Sequence, residues 1–382
     1  MERLKNSVSL RLLMTFGLLY CFLVGINCLG AGIKGLGSGV MDSYFSDSMN
    51  PVLGLLVGIL GTTLVQSSSV TSALIVGLVG SGELSVSSAV PMIMGANIGT
   101  TVTNTLASLA HATKALEFRR AFAAATCHDF FNFLSVVTLL PLEIITRAIS
   151  GAGILERIAG TVAGWTVGSR GATYKSPLKA AFKFGKESVK HSIEYFTKSE
   201  QAVFILLALI GAAIILLTLT LIVKCMRGIV IQRMERYVNR ILGTGGPVAI
   251  MVGIVLTVMV QSSSITTSIL VPLAGAGALK LKQIYPITLG ANIGTTVTAL
   301  LASMAVGSET AEAARQIALV HLSFNLLGIL IWYVPSRTRR IVLRLAEWFA
   351  LFATRYKKWA LLYVAALFYG LPALIVLLAG TG

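Results

Sequence analysis

Residues 66–82 read QSSSVTSALIVGLVGSG, and residues 261–277 read QSSSITTSILVPLAGAG. The likeness extends on both sides, because residues 58–108 align with 253–303 at a constant offset of 195 without a gap, and 27 of the 51 positions are identical. Chance does not produce such an alignment. Similarity at a fixed offset indicates a duplicated structural unit, so we predict a chain built from two homologous halves.

Two further motifs follow the serines in each copy. Gly-Ala-Asn-Ile-Gly-Thr-Thr-Val-Thr stands at 95–103 and again at 290–298, and a weaker echo, His-x-x-Phe-Asn, stands at 128–132 and 321–325. These repeats predict the boundaries of four regions. They are a first repeat (1–165), an inter-repeat loop (166–200), a second repeat (201–358) and an additional C-terminal transmembrane helix (359–382).

The composition places this pattern in a membrane. Of the 382 residues 55% are hydrophobic and only 12% are charged, about half the charged fraction of soluble domains. This excludes an ordinary soluble enzyme and any disordered or fibrous protein. A net charge of +16 would suggest a nucleic-acid partner in a soluble protein, but here the basic residues lie between apolar runs. We therefore expect this chain to lie in a lipid bilayer and to have no nucleic-acid partner.

Long apolar stretches predict the membrane-spanning helices. A helix needs about 20 apolar residues to cross the hydrocarbon core. The first such stretch is longer than a signal peptide core and has no convincing cleavage site, so we predict a retained span. The predicted spans are 9–31, 121–141, 202–223, 314–334 and 360–380. The four cysteines share no motif spacing and predict neither a disulfide framework nor a metal site.

The segments around Gln-Ser-Ser-Ser are too short to cross a membrane singly. Residues 52–65 and 248–260 are apolar before the motif, and the apolar segments after it end at 80–82 and 275–277. Two half-length helices that meet at a polar tip form a re-entrant hairpin, which is tolerated where it lines a cavity. Interrupted segments at matching positions of two halves indicate a transporter's binding site.

The distribution of Lys and Arg predicts inverted halves, because cytoplasmic loops carry an excess of both. The basic N-terminus and the clusters at 114–120, 224–240 and 337–344 share one side of the membrane only if the second half is inverted. The loop at 169–200 disagrees, with seven Lys and Arg against three Glu. We give the repeat more weight, since charge in longer loops constrains topology less. Lysines at helical spacing in this loop predict an amphipathic surface helix.

The predicted fold is an all-α polytopic membrane protein with two inverted-topology repeats. Each repeat holds a re-entrant helical hairpin and an unwound transmembrane helix, because glycines flank Asn97 and Asn292 and permit an unwound backbone. Serine hydroxyls donate to anion oxygens, whereas amide carbonyls and threonine hydroxyls coordinate hard cations. A helix that begins at the serines also points its positive end at the tip, which favours an anion.

Asp129 is an acid deep in an apolar run without an adjacent basic residue. An acid inside a membrane indicates a functional site, and the matching position of the second half is Leu322. The alternative is a protonated or interface-pointing Asp near the end of the span. His128 and His321 are open to two readings, proton carriers or hydrogen-bonded helix packing, and we favour packing.

With these residues in view, the chain resembles the type II sodium/phosphate cotransporters, and its short form looks like a bacterial member. The paired serine hairpins, the two asparagine segments and His-Asp-Phe-Phe-Asn at 128–132 are together specific to that family. The resemblance implies import of inorganic phosphate, mainly the divalent form, coupled to sodium. Ala291 stands where animal members have Ser, so no side-chain contact is carried over there. The loop at 169–200 has no cysteine, so neither is a disulfide.

The resemblance implies that the six motif serines contact phosphate and that Gln261, Ser262, Thr295 and Thr298 match a sodium site. The chemistry of the side chains and the matching positions of the two halves predict the other ligands. The residues expected to bind phosphate are Ser67, Ser68, Ser69, Ser262, Ser263, Ser264, Asn97 and Asn292. The residues expected to bind sodium are Gln66, Gln261, Thr100, Thr103, Thr295, Thr298, Asp129, Asn132 and Asn325. Asp129 and Asn132 match the site that distinguishes electrogenic from electroneutral members.

The expected function is therefore an electrogenic sodium-coupled symporter of divalent phosphate that works by alternating access in the bacterial inner membrane. Two alternatives stay open: a symporter of another oxyanion such as sulfate, and an anion channel. We expect no enzyme, because the sequence has no nucleophile–base pair, phosphate-binding GxxxxGK loop or metal-ligand cluster. We expect no cofactor besides Na+ as coupling ion, and the sequence leaves a homodimer open.

Overall fold

The computed structural model describes residues 8–36, 49–166, 177–241, 246–306 and 310–379. Within these residues every regular element is a helix, and no strand occurs. In this described part of the chain, six segments are long and apolar enough to cross a membrane: Leu13–Leu36, Ala115–Ser150, Glu200–Met226, Leu281–Ala305, Ala311–Trp332 and Lys357–Leu378. The predicted class, an all-α polytopic membrane protein, is confirmed.

The helices follow the repeat. The first half holds α1 (Val8–Leu36), α2 (Pro51–Val65), α3 (Ser68–Ser81), α4 (Val86–Gly99), α5 (Val102–Leu109), α6 (Ala115–Ser150) and α7 (Ile154–Thr166). Helix α8 (Pro177–Phe196) connects the halves. The second half holds α9 (Glu200–Ile241), α10 (Gly246–Val260), α11 (Ser263–Gly275), α12 (Leu281–Ala305), α13 (Ala311–Trp332) and α14 (Ser336–Arg355). The chain continues through α15 (Lys357–Val364), a π-helical segment (Ala365–Gly370) and α16 (Leu371–Ala379).

Two helix pairs, α2 with α3 and α10 with α11, bend at the same motif. Helix α2 has 15 residues and α3 has 14, so each is about 22 Å long, shorter than the roughly 30 Å hydrocarbon core. Gln66 and Gln261 stand at the bends, and both adopt a left-handed conformation with φ 57°. They are the two non-glycine residues with positive φ in the described part of the chain.

The structure corrects the prediction that a helix unwinds at each Gly-Ala-Asn-Ile-Gly segment. In the second half α12 runs through Gly290 without interruption, so the helix predicted there is continuous and long enough to span a membrane. In the first half the helix breaks between α4 and α5. Thr100 and Thr101 nevertheless keep right-handed helical angles, so the break is one tightened turn and not an unwound segment.

The glycines of these segments serve close helix packing. A Cβ on Gly95 would lie 2.0 Å from the carbonyl oxygen of Leu55, and a Cβ on Gly290 would lie 2.0 Å from that of Ile250. Any side chain at these positions would separate α4 from α2 and α12 from α10. A glycine needed for a bend and a glycine needed for a contact look alike in a sequence, which is why unwinding was predicted.

The open ends of the two hairpins lie at opposite ends of α12. The turn at Gly277 directly precedes α12, whereas a Cβ on Gly80 would touch Val306 just after it. Thr310 also donates a hydrogen bond to the carbonyl oxygen of Gly80. Because α12 has 25 residues, about 37 Å of helix separates the two turns.

The first spans of the two halves, α1 and α9, pack against each other. Residues 8–28 and 203–223 correspond at the repeat offset, and they lie in α1 and α9. A Cβ on Gly32 would lie 2.4 Å from the backbone nitrogen of Ala208, and one on Gly211 would lie 2.5 Å from that of Leu29. Small residues let transmembrane helices approach closely, so this contact joins the two halves.

Helix α8 is the helix predicted from the lysine spacing. Its apolar face buries Phe182 and Ile193, and Ile193 packs in a cluster with Val24 of α1 and Val203 of α9. Lys183 lies on the exposed side, while Lys175 falls outside the described residues. The helix therefore rests on the α1–α9 pair.

Candidate substrate and ion site

The tip of the first hairpin is fixed by Gln66. Its left-handed backbone turns the chain from α2 into α3, and its Nε2 donates to the carbonyl oxygen of Thr63 at 2.5 Å. Its Oε1 accepts a hydrogen bond from the Thr103 hydroxyl at 2.8 Å. A left-handed residue that is not glycine costs of order 1 kcal/mol or more and persists where the surroundings over-determine it. Such strain marks candidate functional positions.

The tip of the second hairpin repeats this geometry. Gln261 Nε2 donates to the carbonyl oxygen of Val258 at 2.8 Å. Its Oε1 accepts from the Thr298 hydroxyl at 2.7 Å. The predicted sodium-site residues thus come together as two matching pairs, Gln66 with Thr103 and Gln261 with Thr298, and in each pair a carbonyl and a hydroxyl oxygen lie side by side.

The serine triplets begin the second helix of each hairpin. Ser67 Oγ accepts from the Val70 N–H at 3.4 Å, and Ser262 Oγ accepts from the Ile265 N–H at 3.4 Å. The first N–H groups of a helix lack intrahelical acceptors, so both tips present backbone donors and a positive dipole end. The remaining triplet residues are buried in these first turns: Ser68, Ser69, Ser263 and Ser264.

Four asparagines link the halves in the protein interior. Asn292 Nδ2 donates to Asn132 Oδ1 at 2.9 Å, and Asn132 Nδ2 donates to the backbone oxygen of Asn97 at 2.9 Å. Asn325 Nδ2 lies 3.4 Å from Asn97 Oδ1. The structure therefore brings Asn97, Asn132, Asn292 and Asn325 together, as the prediction of one shared site requires.

His128 extends this network toward the second hairpin. Its Nε2 lies 2.6 Å from Asn292 Oδ1, and its Nδ1 lies 3.3 Å from Asn104 Nδ2. An amide oxygen accepts and an amide nitrogen donates, so this pattern fits a neutral imidazole protonated at Nε2. Asn104 Oδ1 in turn accepts from the Thr267 hydroxyl of α11 at 2.8 Å. Both ring nitrogens are engaged, which favours the packing role.

His321 is the counterpart of His128 in the second half, and its ring does not have such hydrogen-bond partners among the described residues. Both ring nitrogens of His321 and the Oδ1 of Asn325 have no hydrogen-bond partner among the described residues, although both residues are fully buried. The polar interior thus retains open donors and acceptors on the α13 side.

Asp129 is buried and lacks a basic partner among the described residues. Its Oδ2 accepts from the Thr105 hydroxyl at 3.2 Å and from the Tyr363 hydroxyl at 3.0 Å. Its Oδ1 has no partner in the described part of the chain. A carboxylate held this way is a strong candidate for a bound cation, because a buried charge without a counter-charge is costly.

Two predicted sodium ligands lie apart from these pairs. The hydroxyls of Thr100 and Thr295 donate to the carbonyl oxygens of Ala96 and Ala291 at 3.0 and 3.1 Å. Both threonines are buried, and in the hydrogen bonds recorded for them they bond back to their own helices. A hydroxyl that donates in this way can still coordinate a cation through the lone pairs of its oxygen.

Sequence reasoning missed four side chains at this site: Asn104, Thr105, Tyr363 and Tyr369. The repeat alignment contained a signal for two of them, because Asn104 and Thr105 align with Ala299 and Leu300 of the second copy. Together with Asp129, they are polar where the second half is apolar. Thr105 contacts Asp129, and Asn104 contacts the adjacent His128. The two tyrosines lie outside the repeat and left no such signal.

Comparison with known proteins decides the family. The family model described as Na+/Pi-cotransporter matches residues 21–156 and 214–374, which include both tips, the asparagine segments and Asp129. The chain belongs to the Na+/Pi-cotransporter family. The resemblance seen in the sequence is confirmed, and the family is one of transporters and not of enzymes.

Curated relatives of this Na+/Pi-cotransporter carry matching names. Sodium-dependent phosphate transport protein 2A of Rattus norvegicus is 35% identical, over 96% of this chain and 67% of the rat protein. The 2A protein of Oryctolagus cuniculus is 36% identical over the same shares, and the 2B protein of Homo sapiens is 32% identical over 95% of this chain and 64% of its own. The chain spans about two thirds of the length of these relatives. No solved structure matches it.

Proposed function

We propose that this Na+/Pi-cotransporter is an electrogenic symporter that imports divalent inorganic phosphate with sodium across the bacterial inner membrane. The observation that carries this proposal is the repeated tip: a left-handed glutamine clamped by a threonine, followed by a helix N-terminus with serines, once in each half. The relatives named as sodium-dependent phosphate transport proteins supply the identity of the solutes.

The proposal includes two inverted repeats with re-entrant hairpins, bounded as 1–165 and 201–358 around the 166–200 loop, with 359–382 as an additional helix. Three observations support it. The hairpin helices are too short to span, their open ends lie at opposite ends of α12, and their contacts are reciprocal. The open end of the first hairpin touches Val306, and that of the second touches His111, which is the matching position at the offset of 195.

In this arrangement phosphate lies between the two tips. Its oxygens accept from the serine hydroxyls and from the free N–H groups at the starts of α3 and α11. Neither hairpin supplies a cation, because residues 51–113 and 246–279 contain no Lys or Arg. A dianion in such surroundings needs bound cations to offset its charge, and sodium fills that role. The proposed phosphate ligands are Ser67, Ser68, Ser69, Ser262, Ser263, Ser264, Asn97 and Asn292.

Sodium is proposed to occupy the oxygen-lined positions around the phosphate. The Gln66–Thr103 and Gln261–Thr298 pairs each offer two neutral oxygens, and Asp129 offers a carboxylate. Three sodium ions with one divalent phosphate carry one net positive charge inward, whereas two carry none. Asp129 supplies the additional site that makes transport electrogenic. The proposed sodium ligands are Gln66, Gln261, Thr100, Thr103, Thr295, Thr298, Asp129, Asn132 and Asn325.

Uptake by proteoliposomes tests the solute and the coupling. Purified protein should accumulate radiolabelled phosphate above its external concentration under an inward sodium gradient, and replacement of sodium by choline should abolish accumulation. An excess of unlabelled sulfate should leave the uptake unchanged. Strong competition by sulfate would indicate that the protein transports another oxyanion, and phosphate equilibration without accumulation would indicate a channel.

A further inference from the structure

A second polar feature lies far from the hairpin tips. A cavity of about 550 Å³ opens between the start of α6, the turn after α11, the start of α12 and the middle of α14. Its wall carries four basic side chains and one acidic side chain. They are Arg119, Arg120, Lys280, Lys282 and Glu347.

The basic residues of this cavity are not neutralised. None of the four has a carboxylate within 4.0 Å among the described residues, and all four are exposed. Elsewhere in the chain basic residues near carboxylates do pair, as Lys114 does with Glu117 at 2.8 Å and Arg147 with Glu156 at 3.0 Å. A concave surface with uncompensated charge of one sign attracts ions of the opposite sign.

The turn at Gly277 keeps the cavity open beside Arg120. Gly277 has φ +77°, and a Cβ there would lie 2.6 Å from Arg120 Nη1. The positive φ favours glycine at this position, and the Arg120 guanidinium lies directly beside the turn. The first turn of α12 adds backbone donors at Leu281 and Lys282, whose N–H groups have no acceptor within the helix. Charged and backbone donors thus face the same space.

We propose that this cavity is a second binding site of the protein and that it takes a phosphate group. Paired arginines bind phosphate oxygens through parallel hydrogen bonds, and lysines add point charges. Two sources share this chemistry: free inorganic phosphate on the side that the basic residues assign to the cytoplasm, and the headgroup of an anionic phospholipid.

This site is separate from the proposed transport site and uses different chemistry. Arg119 precedes Asp129 by ten residues of α6, which is about 15 Å along the helix. It has its own cations, so its binding does not need sodium. The inference therefore stands whether or not the symport proposal holds.

Sodium-free binding tests the inference on the purified full-length protein with choline in place of sodium. One arm measures equilibrium binding of radiolabelled inorganic phosphate. The other measures, by native mass spectrometry, how much phosphatidylglycerol the protein retains relative to phosphatidylcholine. Arg119→Gln with Arg120→Gln should weaken the binding about tenfold or more, since the change removes two positive charges and their charge-assisted hydrogen bonds. Glu347→Gln should tighten it, which a misfolded variant would not do.

The control variant is Arg337→Gln with Arg340→Gln, which removes the same charge from exposed positions of α14 outside the cavity. It should bind as the wild type does. Loss of phosphate binding in the cavity variant identifies the free anion as ligand, and loss of phosphatidylglycerol retention identifies the lipid. Absence of both kinds of binding in the wild type, or an equal loss in the control, would overturn the inference. Sodium-driven uptake by the same preparations reports separately on the symport proposal.

Discussion

At the scale of single residues, the glutamine–threonine pairs carry the most specific geometry. Each glutamine is held in a left-handed conformation, and each Oε1 accepts from a threonine 37 positions further along the chain. The same strain and the same partner occur in both halves. A packing role would not require a strained backbone at both tips, whereas a site that positions oxygens for an ion gains from it.

Thr298→Val should therefore weaken sodium binding without removing phosphate transport. The substitution keeps the side-chain volume and deletes one ligand oxygen, which we expect to raise the half-saturating sodium concentration about tenfold, the equivalent of about 1.4 kcal/mol. The measurement is the sodium dependence of phosphate uptake. Thr296→Val is the matched control, because Thr296 is also buried but donates to the carbonyl oxygen of Ile293 in its own helix. Equal shifts in both variants would contradict the assignment.

Asp129→Asn should separate charge movement from transport. The variant keeps the shape and removes the carboxylate proposed to hold one sodium, so phosphate uptake should continue while the current disappears. Glu143→Gln serves as control, since Glu143 is a second buried acid of α6 that accepts from the Leu155 N–H at 2.7 Å and lies near Arg147. Its current should persist. A full current from Asp129→Asn would reject the role of that residue.

The polar composition of the site could be predicted from the sequence, but its connections could not. The serines, the asparagines and Asp129 stood out because polar groups are rare in apolar runs. Hydrogen bonds such as Asn292 to Asn132 join residues 160 positions apart, and one sequence holds no record of that proximity. Asn104 shows that further residues of the site could have been predicted, because positions where the two copies differ in polarity mark its asymmetric part.

At the scale of elements, the last apolar segment, Lys357–Leu378, reaches two proposed ligands of the first half although it lies outside the repeat. Tyr363 donates to Asp129 Oδ2 at 3.0 Å, and the Tyr369 hydroxyl accepts from Gln66 Nε2 at 3.2 Å. Tyr369 lies within a π-helical segment, Ala365–Gly370, and Tyr363 lies just before it in α15. Such segments occur frequently at functional sites.

Tyr363→Phe should shift the sodium dependence and the voltage dependence of uptake together. The loss of one hydrogen bond to a carboxylate corresponds to about tenfold or more in affinity. Tyr356→Phe is the control, since Tyr356 is exposed at the start of α15. The measurement is phosphate-evoked current at several sodium concentrations. Identical curves for Tyr363→Phe and the wild type would exclude a positioning role for the last helix.

The elements themselves were largely predictable, with one instructive failure. The breaks at Gln66 and Gln261 follow from apolar segments too short to span, and the structure has helix ends at both. Unwinding at Gly95 and Gly290 was wrong, because these glycines allow contact with Leu55 and Ile250. A bend is a property of the local chain, whereas a close contact depends on a partner that the sequence does not reveal.

At the scale of the whole molecule, the proposed inversion places equivalent positions on opposite sides of the membrane. Glu83 follows the first hairpin, and Ala278 follows the second at the repeat offset of 195. The variants Glu83→Cys and Ala278→Cys are each made in a cysteine-free background. They should react differently with a membrane-impermeant maleimide applied to intact cells. Glu83→Cys should be labelled at once, and Ala278→Cys only after the membrane is permeabilised. Labelling of both from the same side would contradict inverted repeats.

In the proposed mechanism, phosphate moves with sodium and with net charge through a site that contains almost no fixed positive charge. Simultaneous recording of radiolabelled phosphate uptake and current in proteoliposomes under an inward sodium gradient tests it most directly. We predict uptake that requires sodium, is accelerated by an inside-negative potential and carries one net positive charge inward per phosphate. Uptake that proceeds equally without sodium, or without any associated current, would contradict the account.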